Sequence, residues 1–234
     1  MRLCKKEVGS SQQPSADSCM LTAVSSNVVI TMKFLTLISL FLLHAPSFAQ
    51  LDSAVYEIEQ HRRKQEEEFR DPKESPLDKK LRKKFNGLNY YPINLNYRVK
   101  ATFVKTENPV LFKMKTTTAR LPEYQKYGEV HFKLDGEQRV LEVYQSPQIS
   151  IEPGLEDYLF IPFTDETNGI DTYDMGRYLD FRIPTSDQVM LDFNKCYNPY
   201  CSYGSGFSCP IPPEMNHLPL QVQAGEKKYL PGVH

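Results

Sequence analysis

The chain has 234 residues, of which 40% are hydrophobic and 24% charged, and its formal net charge is −1. That balance excludes a nucleic-acid binder working through a basic excess, and no basic stripe stands out. Trp is absent, but 14 Tyr and 13 Phe supply aromatic bulk for a folded core, as expected of a soluble globular protein.

From Met32 the chain reads MKFLTLISLFLLHAPSFAQ. Lys33, the apolar run Phe34–Leu43 and the small-residue site Ser47-Phe48-Ala49 have the order of a secretory signal peptide. Cleavage after Ala49 would leave Gln50 first, with residues 1–31 an upstream mis-start. The rival reading, a membrane helix from Met20 to Leu43, would place Lys33 near its middle, at a cost of roughly 2.5–3.5 kcal/mol. The expected product is exported, periplasmic or extracellular, with no stable membrane span after cleavage. Removing residues 1–49 takes away four basic and two acidic residues, leaving 24 against 27, or −3.

Residues 50–74 form a charged N-terminal segment. Within it, residues 53–71 predict a helix with a thin apolar stripe of Val55, Ile58 and Phe69. Ser75-Pro76 predicts the start of a second helix that stops at Gly87 and buries Leu77, Leu81 and Phe85. The basic side chains Lys79, Lys80, Arg82, Lys83 and Lys84 fall on its solvated side.

After Asn89 the pattern alternates, as strands do. Tyr97, Val99, Ala101 and Phe103 form one run, and Val110, Phe112 and Met114 another. Glu129–Tyr144 reads as a hairpin turning at Asp135-Gly136. Tyr158–Phe163 predicts a buried strand, and Val189–Phe193 and Leu220–Gln223 the last ones. The expected fold is a mainly β domain over residues 75–234: an antiparallel sandwich or barrel-like arrangement with two N-terminal helices.

Two polar stretches are the candidates for chemistry. In Phe163–Arg177, Asp165, Thr167, Asn168 and Gly169 fit a turn held by side-chain oxygens. The spacing of a calcium loop is absent. Arg177 could pair with nearby Asp174 or Asp180, or grip an anionic group bidentately. The second stretch, Asp192–Lys227, holds Cys196, Cys201 and Cys209 together with five prolines. These prolines prevent a regular helix or central strand from running through it. With His217 the cysteines have zinc-capable side chains, yet their separations do not match zinc ribbons or fingers. A disulfide is favoured, with Cys201–Cys209 the preferred pair clamping the loop of Gly204 and Gly206. A metal site, a Cys201 thiol served by His217, and a carboxylate pair such as Glu214 and Glu226 are the alternatives.

The runs FTDETNGIDTYDMGRYLD, DFN-x-x-YNPYC-x-Y, CPIPPEMNHL and AGEK, with SPLDKKLRKKFNGLNYYPIN upstream, closely resemble the bacterial and archaeal family called domain of unknown function 1684. The resemblance spans about Ser75 to Lys228 and implies no particular reaction. Among the positions that match the family motif, Asp165, Thr167, Tyr173, Arg177, Tyr178, Asn194, Asn198, Tyr200, Asn216 and Glu226 are the expected ligand-binding residues. The resemblance also favours Cys201 with Cys209 as the disulfide, because Cys196 and His217 both look like departures from the family pattern. The leading expectation is a non-catalytic binding or envelope-associated domain recognising a small polar ligand or glycan, with no metal or other cofactor. The alternative is a hydrolase-like enzyme using Asp165, Asp192, Glu214 or Glu226, or the Cys201 thiol.

Overall fold

The computed structural model describes residues 46–230. The expected mis-start and most of the expected signal peptide lie outside them. Among the described residues no helix is long and apolar enough to cross a membrane.

Helix α1 runs Pro46–Arg70. Ala54, Ile58, Gln65 and Phe69 are buried along one side, with His61 and Arg62 half-buried between them. This stripe is wider than Val55, Ile58 and Phe69 alone, because Ala54 and a polar residue join it: Gln65 accepts a hydrogen bond from the Tyr90 hydroxyl (3.1 Å). Arg62 donates to the Tyr91 carbonyl (3.0 Å) and lies over the Tyr90 ring.

Helix α2 is a single turn, Lys79–Lys83, shorter than the sequence predicts. Asp78 is the cap, its carboxylate accepting from the N–H groups of Lys80 and Leu81. Ser75 instead accepts from Leu77 in a tight local turn, and the helix ends at Lys84, before Gly87. The expected docking does occur: Leu77 is buried, and Leu81 and Phe85 pack with Phe69, Tyr200 and Tyr203.

The strands are β1 (Arg98–Lys105), β2 (Leu111–Lys113), β3 (Glu123–Leu134), β4 (Glu137–Gln145), β5 (Tyr158–Asp165), β6 (Arg177–Arg182), β7 (Gln188–Asp192) and β8 (His217–Leu218). A short helix α3, Pro147–Ser150, follows β4. The order across the sheet is β6-β5-β4-β3-β1-β7, with β2 beside β3 and β8 beside β5. All pairings are antiparallel except β5 with β8.

Chain connectivity forces this sheet to curl. Strands β6 and β7 are its outermost members, yet only residues 183–187 join them. Five strand spacings in a flat sheet would separate them by about 24 Å, whereas the link from 182 to 188 reaches about 20 Å fully extended. The sheet therefore curls into a half-barrel, and Phe103 of β1 meets Phe181 of β6 with ring centroids 6.1 Å apart. The mainly β, barrel-like expectation is met.

Alternation decides which side chains fill the interior. Ala101, Phe103, Val130, Phe132, Leu141, Val143, Leu159, Ile161 and Leu179 point inward as one cluster. On the outer face Tyr124, Tyr144, Phe160 and Tyr178 form a second cluster, covered by Met114 and Tyr197. The Asp135-Gly136 turn has the left-handed backbone that a tight hairpin requires (φ +52° and +80°). At the bulge in β3, Gly128 lies so close to the Phe103 ring that a Cβ would stand 2.6 Å from it.

Three expectations are corrected. The 110–114 strand shrinks to β2. Leu220–Gln223 is not a strand: the Val222 N–H and the carbonyls of Gln221 and Val222 are taken by side chains, and the Leu220 carbonyl by the Glu166 N–H. The polar stretch before Tyr178 leads into a strand, β6, that alternation had not indicated.

Pro162 lies inside β5, where a missing N–H would break a ladder. Strands β4 and β5 pair at Tyr144↔Phe160. Beyond it the Asn216 side chain fills the gap. Its Oδ1 accepts from the Glu142 N–H (2.7 Å), and its Nδ2 donates to the carbonyls of Glu142 (2.9 Å) and Pro162 (2.7 Å). One amide thus stands in for a strand's backbone.

Candidate functional site

Arg177 opens β6 and is fully buried, with its side chain turned into the molecule. One terminal nitrogen, Nη2, donates to Asp165 Oδ2 (2.7 Å) and the Val222 carbonyl (2.8 Å); the other, Nη1, donates to the Ala224 carbonyl (2.5 Å). Asp165 Oδ1 accepts from the Thr167 N–H (2.8 Å), the Thr167 hydroxyl (2.6 Å) and the Val222 N–H (3.2 Å). A buried charge persists only when paired and hydrogen-bonded, and both conditions are met here. The guanidinium therefore pins the segment 222–226 through its carbonyls, which is why that segment cannot spend them on a strand ladder.

Glu226 extends the network and is also buried. Its carboxylate accepts from the Tyr203 hydroxyl and from the Asn198 N–H (3.1 Å). Asn198 Nδ2 donates to the Lys227 carbonyl (2.8 Å). Burial, followed by the neighbouring Glu226 carboxylate, pushes the Tyr203 phenol well above its ordinary value. Cys196 is free and fully buried beside these groups. Burial pushes its thiol up to about 11, with the Arg177 charge acting in the opposite direction. A thiol held neutral in this way is not a nucleophile at pH 7. Gly225 passes against Cys196 with φ +74°, and a Cβ there would meet the Cys196 sulfur and stand 2.7 Å from the carbonyls of Phe193 and Cys196.

The remaining predicted positions are placed as follows. Tyr178 is buried, and its hydroxyl donates to the Pro210 carbonyl. The Tyr200 ring packs on Phe69 and Phe207. Tyr173 is half-buried beside the turn that Asn168 closes. Asn194 bonds across 100 residues: its Oδ1 accepts from the Asn94 N–H (2.9 Å), and its Nδ2 donates to the Asn94 carbonyl (3.0 Å). Eight of the ten candidates (Asp165, Thr167, Arg177, Tyr178, Asn194, Asn198, Asn216 and Glu226) are almost fully buried. Arg177 forms a structural ion pair, with Asp165 rather than Asp174 or Asp180, and faces its own chain rather than a ligand. Thr167, Asn216 and the others likewise bind backbone or neighbouring side chains.

Cys201 and Cys209 form the disulfide. Cys201 thus has no thiol to offer, and His217 lies elsewhere, its Nε2 donating to the Glu166 carboxylate (3.2 Å) and its Nδ1 bonded to the Thr164 hydroxyl (3.0 Å). Among the described residues no group of three or more His, Cys, Asp or Glu side chains is placed to hold a metal ion.

The buried residues support an open groove that sequence reading did not identify. It has a volume of about 500 Å³ and is lined by Asn94, Asn96, Tyr97, Leu134, Asp135, Leu220, Gln221 and Gln223. Asn194 holds one wall through Asn94, and Arg177 and Asp165 hold the other through Val222. The Tyr97 hydroxyl joins the walls by donating to the Gln221 carbonyl (3.1 Å). Asn94, Asn96, Gln221 and Gln223 are exposed, so their amides face solvent in the groove. Each amide carries both a donor and an acceptor; Gln223 Nε2 donates to Gln221 Oε1 (3.2 Å) and Asn94 Oδ1 accepts from the Asn96 N–H (3.0 Å), and the remaining capacity faces solvent. No local motif marks these residues, because they come from three distant parts of the chain.

The family described as "Protein of unknown function (DUF1684)" matches residues 83–227. The chain belongs to this family. The matched span contains the Arg177–Asp165 pair, the Glu226 network and every groove residue. No curated protein matches the chain. Among solved structures it is similar to the uncharacterized protein from gene locus rrnAC0354 of Haloarcula marismortui. The two are 33% identical with a TM-score of 0.61, and the match covers 76% of this chain and 96% of that one.

Proposed function

We propose that this DUF1684 member is a binding module for a small polar ligand, a short glycan being the best fit, working in an exported, envelope-associated setting. The observation that carries the reading is the groove between Asn94–Tyr97 and Leu220–Gln223, where four exposed amides and the Tyr97 phenol converge over Leu134. Neutral donor–acceptor pairs match vicinal hydroxyl or acetamido groups, and an apolar floor with an aromatic edge suits a sugar ring. The leader-like run from Met32 and the Cys201–Cys209 disulfide support export to an oxidising compartment. The hydrolase alternative draws no comparable support, since Cys201 is disulfide-bonded and Asp165 and Glu226 are turned inward.

The test is amide chemical-shift mapping with soluble tetrasaccharides of glucose and of N-acetylglucosamine. Saturable shifts at residues 94–97 and 220–223 are expected for at least one of them. Gln221→Ala or Asn96→Ala should weaken that binding about 3- to 10-fold, the worth of one hydrogen bond. The reading fails if both sugars leave those residues unperturbed while the protein remains folded.

A further inference from the structure

A second surface lies away from this groove, along β2. Strand β2 pairs with β3 in the register Leu111↔Gln125, Phe112↔Tyr124, Lys113↔Glu123. The Met114 N–H donates to the Pro122 carbonyl (2.9 Å), so Met114 turns its backbone groups toward β3. Alternate residues of an antiparallel strand share that direction. Phe112 therefore faces β3 as well, whereas Leu111, Lys113 and Lys115 present N–H and C=O groups to the opposite edge.

Among the described residues that edge is occupied only at its far end. The Ile211 N–H donates to the Lys115 carbonyl (2.9 Å), and Thr116 bridges Pro210. Beyond Ile211 the neighbouring segment departs. Pro212 and Pro213 have no N–H to give, and Glu214–Asn216 winds into a single 3₁₀ turn. The divergence opens a groove of about 450 Å³ whose lining includes Phe112, Lys113, Lys115, Ile211, Met215 and the exposed Glu214. Large apolar side chains crowd this region in the open: Val110 is 78% exposed and Met215 72%, with Leu111 and Phe112 also exposed. Such clustering marks an interaction surface, as isolated exposed residues do not.

We propose that this edge and groove receive an extended polypeptide segment, which adds to β2 as a further strand. Backbone groups of Leu111 and Lys113 would supply the pairing, as in other cases of strand addition. Side chains of the incoming segment alternate between two faces. One face meets the exposed Lys113 and Lys115 ammonium groups, which outnumber the single Glu214 carboxylate of the groove, and so takes acidic residues. The other meets Phe112 and Met215 and so takes apolar ones. The partner is thus an extended chain of alternating acidic and apolar residues.

The probe is a fluorescein-labelled eight-residue peptide of alternating glutamate and valine, titrated into the protein and followed by polarisation and amide shift mapping. Saturable binding with shifts confined to residues 110–115 and 211–215 is expected. The same peptide N-methylated at alternate residues should bind at least ten-fold more weakly, because it cannot donate to the edge. Leu111→Pro removes one outward N–H while leaving the ladder to β3 intact, and should weaken binding similarly. Lys113→Glu should weaken binding and flatten its salt dependence. The proposal is overturned if the peptide perturbs none of these residues, or if the N-methylated peptide binds as tightly. It is equally overturned if vesicles containing anionic phospholipid, and not the peptide, shift the 110–115 resonances. The N-methylated comparison needs only the unaltered protein, so it decides the matter even if Leu111→Pro fails to fold.

Discussion

Arg177→Met is the most informative single change. Methionine roughly fills the space of the guanidinium stem but donates nothing. The variant leaves Asp165, whose side chain is fully buried, with no cationic partner, and leaves the carbonyls of Val222 and Ala224 without their charged donor. Breaking a buried ion pair from one side costs about 3–5 kcal/mol. Each orphaned carbonyl adds about 1–3 kcal/mol, in part the same loss. A net cost near 5 kcal/mol follows, which for a chain of this size lowers Tm by roughly 10–20 °C. With no Trp in the chain, urea unfolding is best followed by far-ultraviolet circular dichroism or tyrosine fluorescence. Adding Asp165→Asn to Arg177→Met neutralises the stranded carboxylate and should return about 1–2 kcal/mol, so the double variant is more stable than the single one. A loss below about 1 kcal/mol for Arg177→Met, or a double variant weaker than the single, would refute the account of this network. Native-state hydrogen exchange at Gln221 and Gln223 should also quicken in Arg177→Met, because the guanidinium holds that wall of the groove.

Three further outcomes are expected. Asn216→Ala removes the amide that bridges β4 and β5 and should cost about 2–4 kcal/mol in urea unfolding; a cost under about 0.5 kcal/mol would show that water replaces the amide freely. Replacing Cys201 and Cys209 together with serine opens an eight-residue separation, and the loop-entropy relation gives a loss of about 2–3 kcal/mol in the midpoint measurement. Cys196 is raised to about 11 in the folded chain, above its unfolded value near 8.5. The native state then holds a proton that the unfolded state releases between those values. Stability should fall with rising pH across that window by up to about 1.4 kcal/mol per unit from this group, and the slope should be shallower in Cys196→Ala. Identical slopes in the two proteins would contradict the assignment.

Where a feature depends on neighbouring residues, most of it was legible in the sequence, although the cap of α2 is Asp78 and not Ser75. Asp135-Gly136 made the hairpin legible because left-handed backbone at consecutive positions selects those residue types. The apolar run of β5 and the alternation of β1 and β3 identified strands, since burial on one face imposes a period of two. The family motif likewise marked the polar residues that matter to the fold. Their direction was not legible. The acceptors of Arg177 at Val222 and Ala224 lie 45 and 47 residues away, so nothing local distinguishes an arginine that grips its own chain from one that grips a ligand. Asn216 reaches Glu142 across 74 residues and replaces a strand that alternation cannot reveal. The curl of the sheet came from the short link between β6 and β7, meaningful only once both were known to be edge strands. The amide-lined groove gathers Asn94–Tyr97, Asp135 and Gln221–Gln223 from three segments whose meeting is a property of that curl. Sequence alone determined the local conformations, because those are set by near neighbours. Tertiary structure decided which polar groups are satisfied inside and which remain outside to bind, because that choice depends on partners the chain brings together only when folded.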